Sequence, residues 1–473
     1  MIVMKFGGSS VESASAIVRV ASIVRSHLSD RPVAVVSAMG KTTDRLLEMA
    51  DQAARHHDEV ADALLDQLEN FHFGEAEKLV DGKPLEGLKT CLRQKFSELR
   101  VAVDVLGRCA AGFTPALKDK IASYGEQLSS LIVAAAFRHL GIESTHLDAR
   151  RVIVTDGEHT RATPQYAETN RRLRDAINGT GKVVVMGGFI AATEQGVTMT
   201  LGRGGSDLTA SIVGAALDAS ETQIWTDVDG MLTCDPRLFA AVYLLKTISY
   251  AEAAEMARWG AKVLHPDTVQ PAIEKQIPIV IRNSRRPEVE GTSIVPEVPS
   301  CTNPVKSIAV KANIMLLEIR SSSVDADPDL VHDLSLVANK KIAAELVWKT
   351  GDALYVGIKT GDRYLDLRLD LDGCVEAHLL NDRAVVSLVG DEADPRVVNR
   401  AAMLLRRIDA RIMLPDCSPH TITIVVPQRE LIRTIELLHG EFFQHLDHSV
   451  FVGEPERVPH SRAIFARVGL YEC

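Results

Sequence analysis

Lys5 stands two residues before a glycine pair, in Lys5-Phe6-Gly7-Gly8-Ser9-Ser10. Two further glycine-rich loops follow apolar runs: Met186-Gly187-Gly188-Phe189 and Gly202-Arg203-Gly204-Gly205-Ser206-Asp207. The first and third loops run straight into helical patterns. Backbone N–H groups at a helix N-terminus, with the partial positive charge there, bind phosphate, and glycine lets that backbone come close. Neither loop fits GxxxxGK[ST] or GxGxxG. One glycine pair is an ordinary tight turn. Three such loops at strand ends of one α/β domain mark a ligand crevice instead. A lysine in a buried strand is costly unless paired. Lys5 therefore either points to water from an edge strand or reaches phosphates held by the adjacent loop. The second arrangement suits phosphoryl transfer, which needs positioning and charge stabilisation.

Other residues have two readings each. Arg203, between glycines, has the fork that holds a carboxylate by two hydrogen bonds. Asp207 opens a helix, where a plain N-terminal cap is the simpler role. Glu126 follows Gly125 in an amphipathic helix and reads as a solvated helix charge. Thr226-Asp227-Val228-Asp229-Gly230 ends a strand in acidic residues, which could hold a ribose or a metal or close an Asx turn. Cys234-Asp235-Pro236-Arg237 follows, and Lys262 lies in Gly260-Ala261-Lys262-Val263-Leu264-His265-Pro266. His265 has no paired His or Cys at metal-ligand spacing and reads as structural.

Alternating strand and helix signals position these loops. Ile2–Phe6 is an apolar run; Ala14, Ile17, Val18, Ala21, Val24 and Leu28 then recur at helical spacing. Ser9 and Glu12 form a capping-box pattern at that helix start. Residues 32–37 predict a strand, and 43–140 are mainly helical, with one long amphipathic stretch from 116 to 140. Strands over 182–186 and 222–226, helices over 207–218 and 250–259, and a strand over 277–282 close the series. Such alternation predicts a mainly parallel sheet covered on both faces. Residues 296–305, with three prolines, predict a linker between a domain over 1–295 and two smaller modules over 306–380 and 381–473. The first module reads as strands over 307–310, 314–319 and 353–358 and a helix near 328–339. The second reads as strands over 384–389 and 421–426 and helices over 395–408 and 428–439. This is a strand–helix–strand–strand–helix–strand pattern, occurring twice.

The 473-residue chain is long for one core, and its 46% apolar and 25% charged residues are those of an ordinary globular protein. The net charge of −10 disfavours a nucleic-acid or anionic-membrane partner, so any anionic substrate must be held by a few placed cations. No apolar run approaches a membrane span. Seven scattered cysteines without a CxxC pair predict free thiols in a reducing compartment. Residues 1–6 already read as a strand, leaving no room for a signal or transit peptide; the expected location is a cytoplasm.

Taken together, the motifs resemble the aspartate kinase (aspartokinase) family in order and spacing. They are Lys5–Val11, Val36-Ser37-Ala38-Met39-Gly40-Lys41-Thr42-Thr43, Gly125-Glu126, Gly187-Gly188-Phe189, Gly202–Asp207, Thr226–Gly230, Asp235-Pro236-Arg237 and Gly260–Pro266. The resemblance implies an amino-acid-kinase fold followed by two ACT-type (ferredoxin-like) modules, one of them discontinuous, and a homodimer or dimer of dimers. It implies that Lys5 stabilises the phosphates and that Asp207 organises the catalytic lysines. Glu126 then receives the substrate ammonium and Arg203 its α-carboxylate, with Ser37, Thr43, Phe189 and Ser206 completing that pocket. Gly7, Gly8, Ser9, Thr226, Asp227, Arg237 and Lys262 are the implied ATP-site positions. Magnesium would be held chiefly by the nucleotide phosphates, with no protein metal cage.

The implied activity is ATP-dependent phosphorylation of the L-aspartate side-chain carboxylate, opening lysine, threonine and methionine synthesis. That carboxylate has an ordinary pKa of about 3.9, so it needs no general base near pH 7. Ser9 stands where many relatives have Thr, and Leu232 where many have Tyr. Ser322–His332 lacks the glycine usual in the effector loop, and Pro415–Ile422 departs from the second module's usual pattern. The readings set against this are another acceptor (glutamate or an N-acylated amino acid) and a catalytically weak amino-acid sensor. A carboxylate at 126 speaks against the N-acyl acceptor, and intact Lys5, Arg203 and Asp207 against the sensor.

Overall fold

The computed structural model describes residues 1–108, 112–260, 266–298, 301–321, 344–350, 353–359, 375–390, 394–413, 419–453 and 456–457. Two compact units form. The first is Met1–Gly230 with Leu264–Pro296, and the second is Met231–Val263 with Glu297–Cys473.

The first unit is built on strands β1 (Ile2–Phe6), β2 (Val33–Val36), β3 (Ser144–Leu147), β4 (Val183–Gly187), β7 (Glu221–Thr226), β10 (Ile279–Asn283) and β11 (Thr292–Val295). They lie in the order β3-β4-β2-β1-β7-β10-β11. All neighbours run parallel except β11, which returns antiparallel to β10 and adds a strand that the sequence pattern missed. Every residue of β1 and β2 is buried, as continuous apolar runs in a parallel sheet require. Around this sheet pack α1 (Ala14–Ser26), α2 (Thr42–Ala54), α3 (Asp58–Leu79), α4 (Gly82–Gly107), α5 (Pro115–Ala122), α6 (Tyr124–His139), α7 (Tyr166–Ile177), α8 (Gly205–Ala216) and α10 (Pro266–Glu274). Helices α1 to α4 and α6 pack on one another, and α7 and α10 pack on α8. A small hairpin, β5 (Ile190–Ala192) with β6 (Thr198–Thr200), stands beside the sheet.

Two local expectations are corrected. Helix α1 is capped by Ser13, whose hydroxyl accepts from the Ala16 N–H. Ser9 instead sits in a 3-10 turn, Gly8–Ser10, and Glu12 pairs with Arg285 at 3.1 Å. The single helix expected over 116–140 is two, because the chain breaks at Ser123 between α5 and α6. That break sets the position of Glu126.

The second unit contains an antiparallel sheet of order β13-β14-β12-β15-β17-β16. Its strands are β12 (Ser307–Ser321), β13 (Ala344–Thr350), β14 (Ala353–Lys359), β15 (Val375–Val389), β16 (Arg411–Met413) and β17 (Thr421–Pro427). The two strands expected over 307–310 and 314–319 are one strand, β12, kinked by register shifts on either side of Ile314. β12 and β15 run side by side through the middle, so both α+β halves share one sheet. The unit also holds β8 (Ala241–Val242), β9 (Thr247–Ser249), α9 (Tyr250–Arg258), α11 (Pro395–Leu405), α12 (Leu431–Phe442) and β18 (Glu456–Arg457). Within the segment read as a linker, Asn303 is buried and donates to the carbonyls of Phe442 and His445. The helix near 328–339, the loop Ser322–His332 and residues 415–418 lie outside the described residues.

Candidate active site

Lys5 is not on an edge. β1 is flanked by β2 and β7, with Lys5 in register with Val35 and Ile224. Its side chain is 11% exposed, and Nζ lies 2.6 Å from Asp207 Oδ1. Asp207 is therefore more than a helix cap; Gly204, in the left-handed region at φ +67°, holds the N-cap position of α8. The pair sits at the carboxyl end of the central strand, where ligands bind in open α/β sheets.

Glu126 corrects the expectation of a solvated charge. It is 4% exposed, in the first turn of α6. Oε1 accepts the Ala38 N–H at 3.1 Å, and Oε2 is buried with no hydrogen-bond partner among the described residues. Burial pushes its carboxyl up to about 8, against the lowering effect of the Ala38 N–H. Close backbone approaches build this position. A Cβ on Gly187 would lie 3.0 Å from Glu126 Cβ, and one on Gly125 would lie 2.7 Å from Ala38 Cβ.

Lys5, Ser37, Thr43, Glu126, Phe189, Ser206 and Asp207 line one cleft of about 260 Å³, with Gly202, Gly204 and Gly205 at its wall. Phe189 has φ +64°, a left-handed backbone that costs a non-glycine residue about 1–3 kcal/mol. The Thr209 hydroxyl, accepting from Phe189 N–H at 2.9 Å, and the Leu201 N–H, donating to its carbonyl, hold it there. Gly188 allows the third loop to approach, since a Cβ on it would lie 2.7 Å from Ser206 Cα. Arg203 is exposed beside this cleft in sequence and has no ion pair among the described residues.

At the end of β1, Gly7 N–H donates to Trp225 O, and Gly8 lies against the carbonyls of Ala38 and Gly40. Ser9 is half-buried in this turn. Thr226 and the exposed Asp227 end β7, with the Thr226 hydroxyl 3.3 Å from Asp227 Oδ1. Arg237 belongs to the second unit, where its guanidinium is paired with Asp235 at 2.6 Å. Lys262, like His265, lies outside the described residues. Two networks had no clear sequence signal. Asp229 is buried between Asn283, at 2.6 Å, and Arg286, and Ser10 donates to Ser284 at 2.8 Å. They tie the loops after β1, β7 and β10 together.

Comparison with known proteins points the same way. The Amino acid kinase family matches residues 1–283. Aspartokinase 1, chloroplastic, of Arabidopsis thaliana is 31% identical over 96% of this chain and 82% of the relative. Lysine-sensitive aspartokinase 3 of Escherichia coli is 30% identical over 94% of this chain and 99% of the relative. The chain belongs to the aspartokinase family. Its fold is similar to that of E. coli aspartokinase III in complex with aspartate and ADP, with a TM-score of 0.78, 28% identity and coverage of 94% and 100% of the two chains. The complex of the same enzyme with lysine and aspartate, a T state, gives the same TM-score.

The cleft holds the Lys5 cation, paired with Asp207, and a buried carboxylate oxygen on Glu126 with no partner among the described residues. Among the described residues no three His, Cys, Asp or Glu groups converge as a metal cage, and Asp207 is engaged by Lys5. No helix among the described residues is long and apolar enough to cross a membrane.

Proposed function

We propose that this chain is an aspartate kinase, transferring the γ-phosphoryl group of ATP to the side-chain carboxylate of L-aspartate to give 4-phospho-L-aspartate. The observation that carries this reading is Glu126. A buried carboxylate with one unpartnered oxygen, in the same cleft as the Lys5–Asp207 pair, is a receptor for a free ammonium group. Charge-assisted hydrogen bonds of this kind are short and strong, and the buried site enhances them.

In this reading Glu126 binds the α-ammonium of aspartate and Arg203, exposed and without an ion pair among the described residues, takes its α-carboxylate in a fork. Ser37, Thr43, Phe189 and Ser206 shape the pocket. The side-chain carboxylate, already ionised, attacks the γ-phosphorus as the bond to the β,γ-bridging oxygen breaks, and ADP leaves. Lys5 offsets the charge gathering on the phosphoryl oxygens, and Asp207 holds the lysine in position. Gly7, Gly8 and Ser9 supply close backbone to the phosphates, and Thr226, Asp227, Arg237 and Lys262 serve the rest of the nucleotide. Magnesium, held mainly by the phosphates, neutralises charge when bound. The catalytic domain is taken as 1–295, with a linker over 296–305 and ACT-like modules over 306–380 and 381–473, one discontinuous. A cytoplasmic homodimer regulated through these modules completes the proposal. The product would feed lysine, threonine and methionine synthesis.

The test is acyl-phosphate trapping: protein, Mg-ATP and hydroxylamine, with L-aspartate or L-glutamate. Aspartyl hydroxamate with aspartate alone is expected. Hydroxamate with glutamate alone would reassign the acceptor, and none with either would overturn the kinase reading.

A further inference from the structure

A second cavity, of about 380 Å³, lies in the first unit between α4, α5, the first turn of α6 and the β6 hairpin. It is larger than the candidate active cleft and shares no lining residue with it. Polar side chains converge on it. Tyr124, 3% exposed, is one of its lining residues. Burial, with the nearby Glu98 charge, pushes its hydroxyl up to about 12, so it stays a donor at neutral pH. Lys120 at the rim has no ion pair among the described residues.

Arg150 is held rigidly. Nε and one terminal nitrogen donate to Asp148 at 3.0 and 2.6 Å, and the other terminal nitrogen donates to Thr198 at 3.3 Å. A guanidinium has five N–H donors, so two remain for a ligand. Gln127, 5% exposed, gives its NH₂ to Ser123 Oγ at 2.9 Å. The Ser123 hydroxyl spends its own hydrogen on the Lys120 carbonyl, which fixes the amide orientation. Gln127 Oε1 is left buried without a partner among the described residues. Glu98, whose charge acts on both Tyr124 and Arg150, accepts from Lys95 at 2.8 Å and Gln94 at 3.0 Å, with lone pairs still available.

Asp148 pairs with Arg150 and Lys95 with Glu98, which leaves Lys120 as a cation open to a carboxylate group. The acceptors lining the same cavity ask for a donor on the same molecule. We propose that this cavity binds a free amino acid, its carboxylate held by Lys120, Arg150 and the Tyr124 hydroxyl and its ammonium by Glu98. Tyr124 and Gln127 share the first turn of α6 with Glu126, so a molecule bound here touches the helical turn that forms the active cleft. The site does not depend on the kinase reading, because its test reads binding alone.

The experiment screens the twenty proteinogenic amino acids and succinate singly, by saturation-transfer NMR and calorimetry, on the full chain. The same set is run on Lys120→Ala and Tyr124→Phe, with thermal unfolding as the check that each variant is folded. Tyr124→Phe removes one hydroxyl with no change of shape, which guards against a merely misfolded Lys120→Ala. The expected result is an amino acid whose affinity falls about tenfold or more in either variant, as loss of a hydrogen bond to a charged group requires. Binding of aspartate in the active cleft should be the same in all three proteins. No amino acid bound, or none weakened by either folded variant, overturns the proposal. Succinate binding as tightly as the amino acid, and equally sensitive to both variants, overturns the assignment of the ammonium to Glu98.

Discussion

Changing Glu126 to Gln tests the chemistry of the cleft most directly. With its carboxyl raised to about 8 by burial, Glu126 in the empty cleft is about nine-tenths protonated at pH 7. An ammonium needs the charged form, so binding must first remove that proton. The cost is about 1.4 kcal/mol at pH 7 and about 2.7 kcal/mol at pH 6, at 1.36 kcal/mol per pH unit below the raised value of about 8. The apparent affinity for aspartate should therefore improve nearly tenfold per unit from pH 6 towards 8 and then level off. In Glu126→Gln no such proton exists, so the slope should vanish. At pH 8 the variant should bind aspartate about 10- to 150-fold more weakly, the worth of about 1.5–3 kcal/mol for a hydrogen bond to a charged group. At pH 6 the two proteins should nearly converge, because the wild-type ionisation cost cancels that advantage. The assay is the KM for aspartate by hydroxamate formation from pH 6 to 8.5, with Kd by calorimetry in parallel. A flat wild-type profile, or a slope retained in the Gln variant, would refute the reasoning.

Stability of the empty protein supplies an independent sign. The folded-state value lies above the ordinary 4.5, so between pH 4.5 and about 8 the folded protein keeps a proton that the unfolded chain has lost. This contribution is fully present below pH 4.5 and is lost as pH rises through about 8, by which point the native carboxylate is charged and buried. Glu126→Gln should therefore gain stability relative to wild type as pH rises across that window.

Lys5→Ala should lower the rate of hydroxamate formation by about 10²–10³-fold or more, because it removes the charge stabiliser and leaves Asp207 without its partner at 2.6 Å. Loss of less than tenfold would remove Lys5 from the catalytic role. Gly188→Ala should disrupt aspartate binding and destabilise by about 1–3 kcal/mol, since the added Cβ would fall 2.7 Å from Ser206 Cα; urea unfolding and KM together check this. In the second unit, Lys306 and Glu252 form a buried pair at 2.7 Å, with side chains 3% and 1% exposed. Lys306→Met should cost about 3–5 kcal/mol in urea unfolding by stranding the Glu252 charge, and Lys306→Met/Glu252→Gln should recover part of it.

The glycine-rich loops at the strand ends were legible in the sequence because their signal is local. Gly7-Gly8, Gly187-Gly188 and the run from Gly202 to Asp207 follow strands within a few residues, and backbone that must approach a ligand closely has few alternatives to glycine. The alternation of strands and helices gave the layered α/β architecture for the same reason: hydrophobic period is a short-range property. Strand Ile2–Phe6 was readable, but not its place in the sheet. An apolar run shows that both faces are covered without showing which strands lie beside it. Only the assembled order β2-β1-β7 takes Lys5 off an edge and makes its pairing with Asp207 necessary.

Glu126 shows the limit most clearly. A glutamate in an amphipathic helix reads as solvated, because helical spacing reports the average polarity of a face and not what covers one position. Burial there comes from Ala38 and Gly187, which belong to other strand ends, and from the chain break at Ser123 that starts a new helix. The orphaned oxygen and the raised carboxyl, on which the proposed ammonium site rests, are products of that convergence. Residue type and spacing thus determined which chemistry this chain carries. Packing between segments remote in sequence decided which groups are desolvated and paired, because burial and Coulomb interaction depend on distance in space, not along the chain.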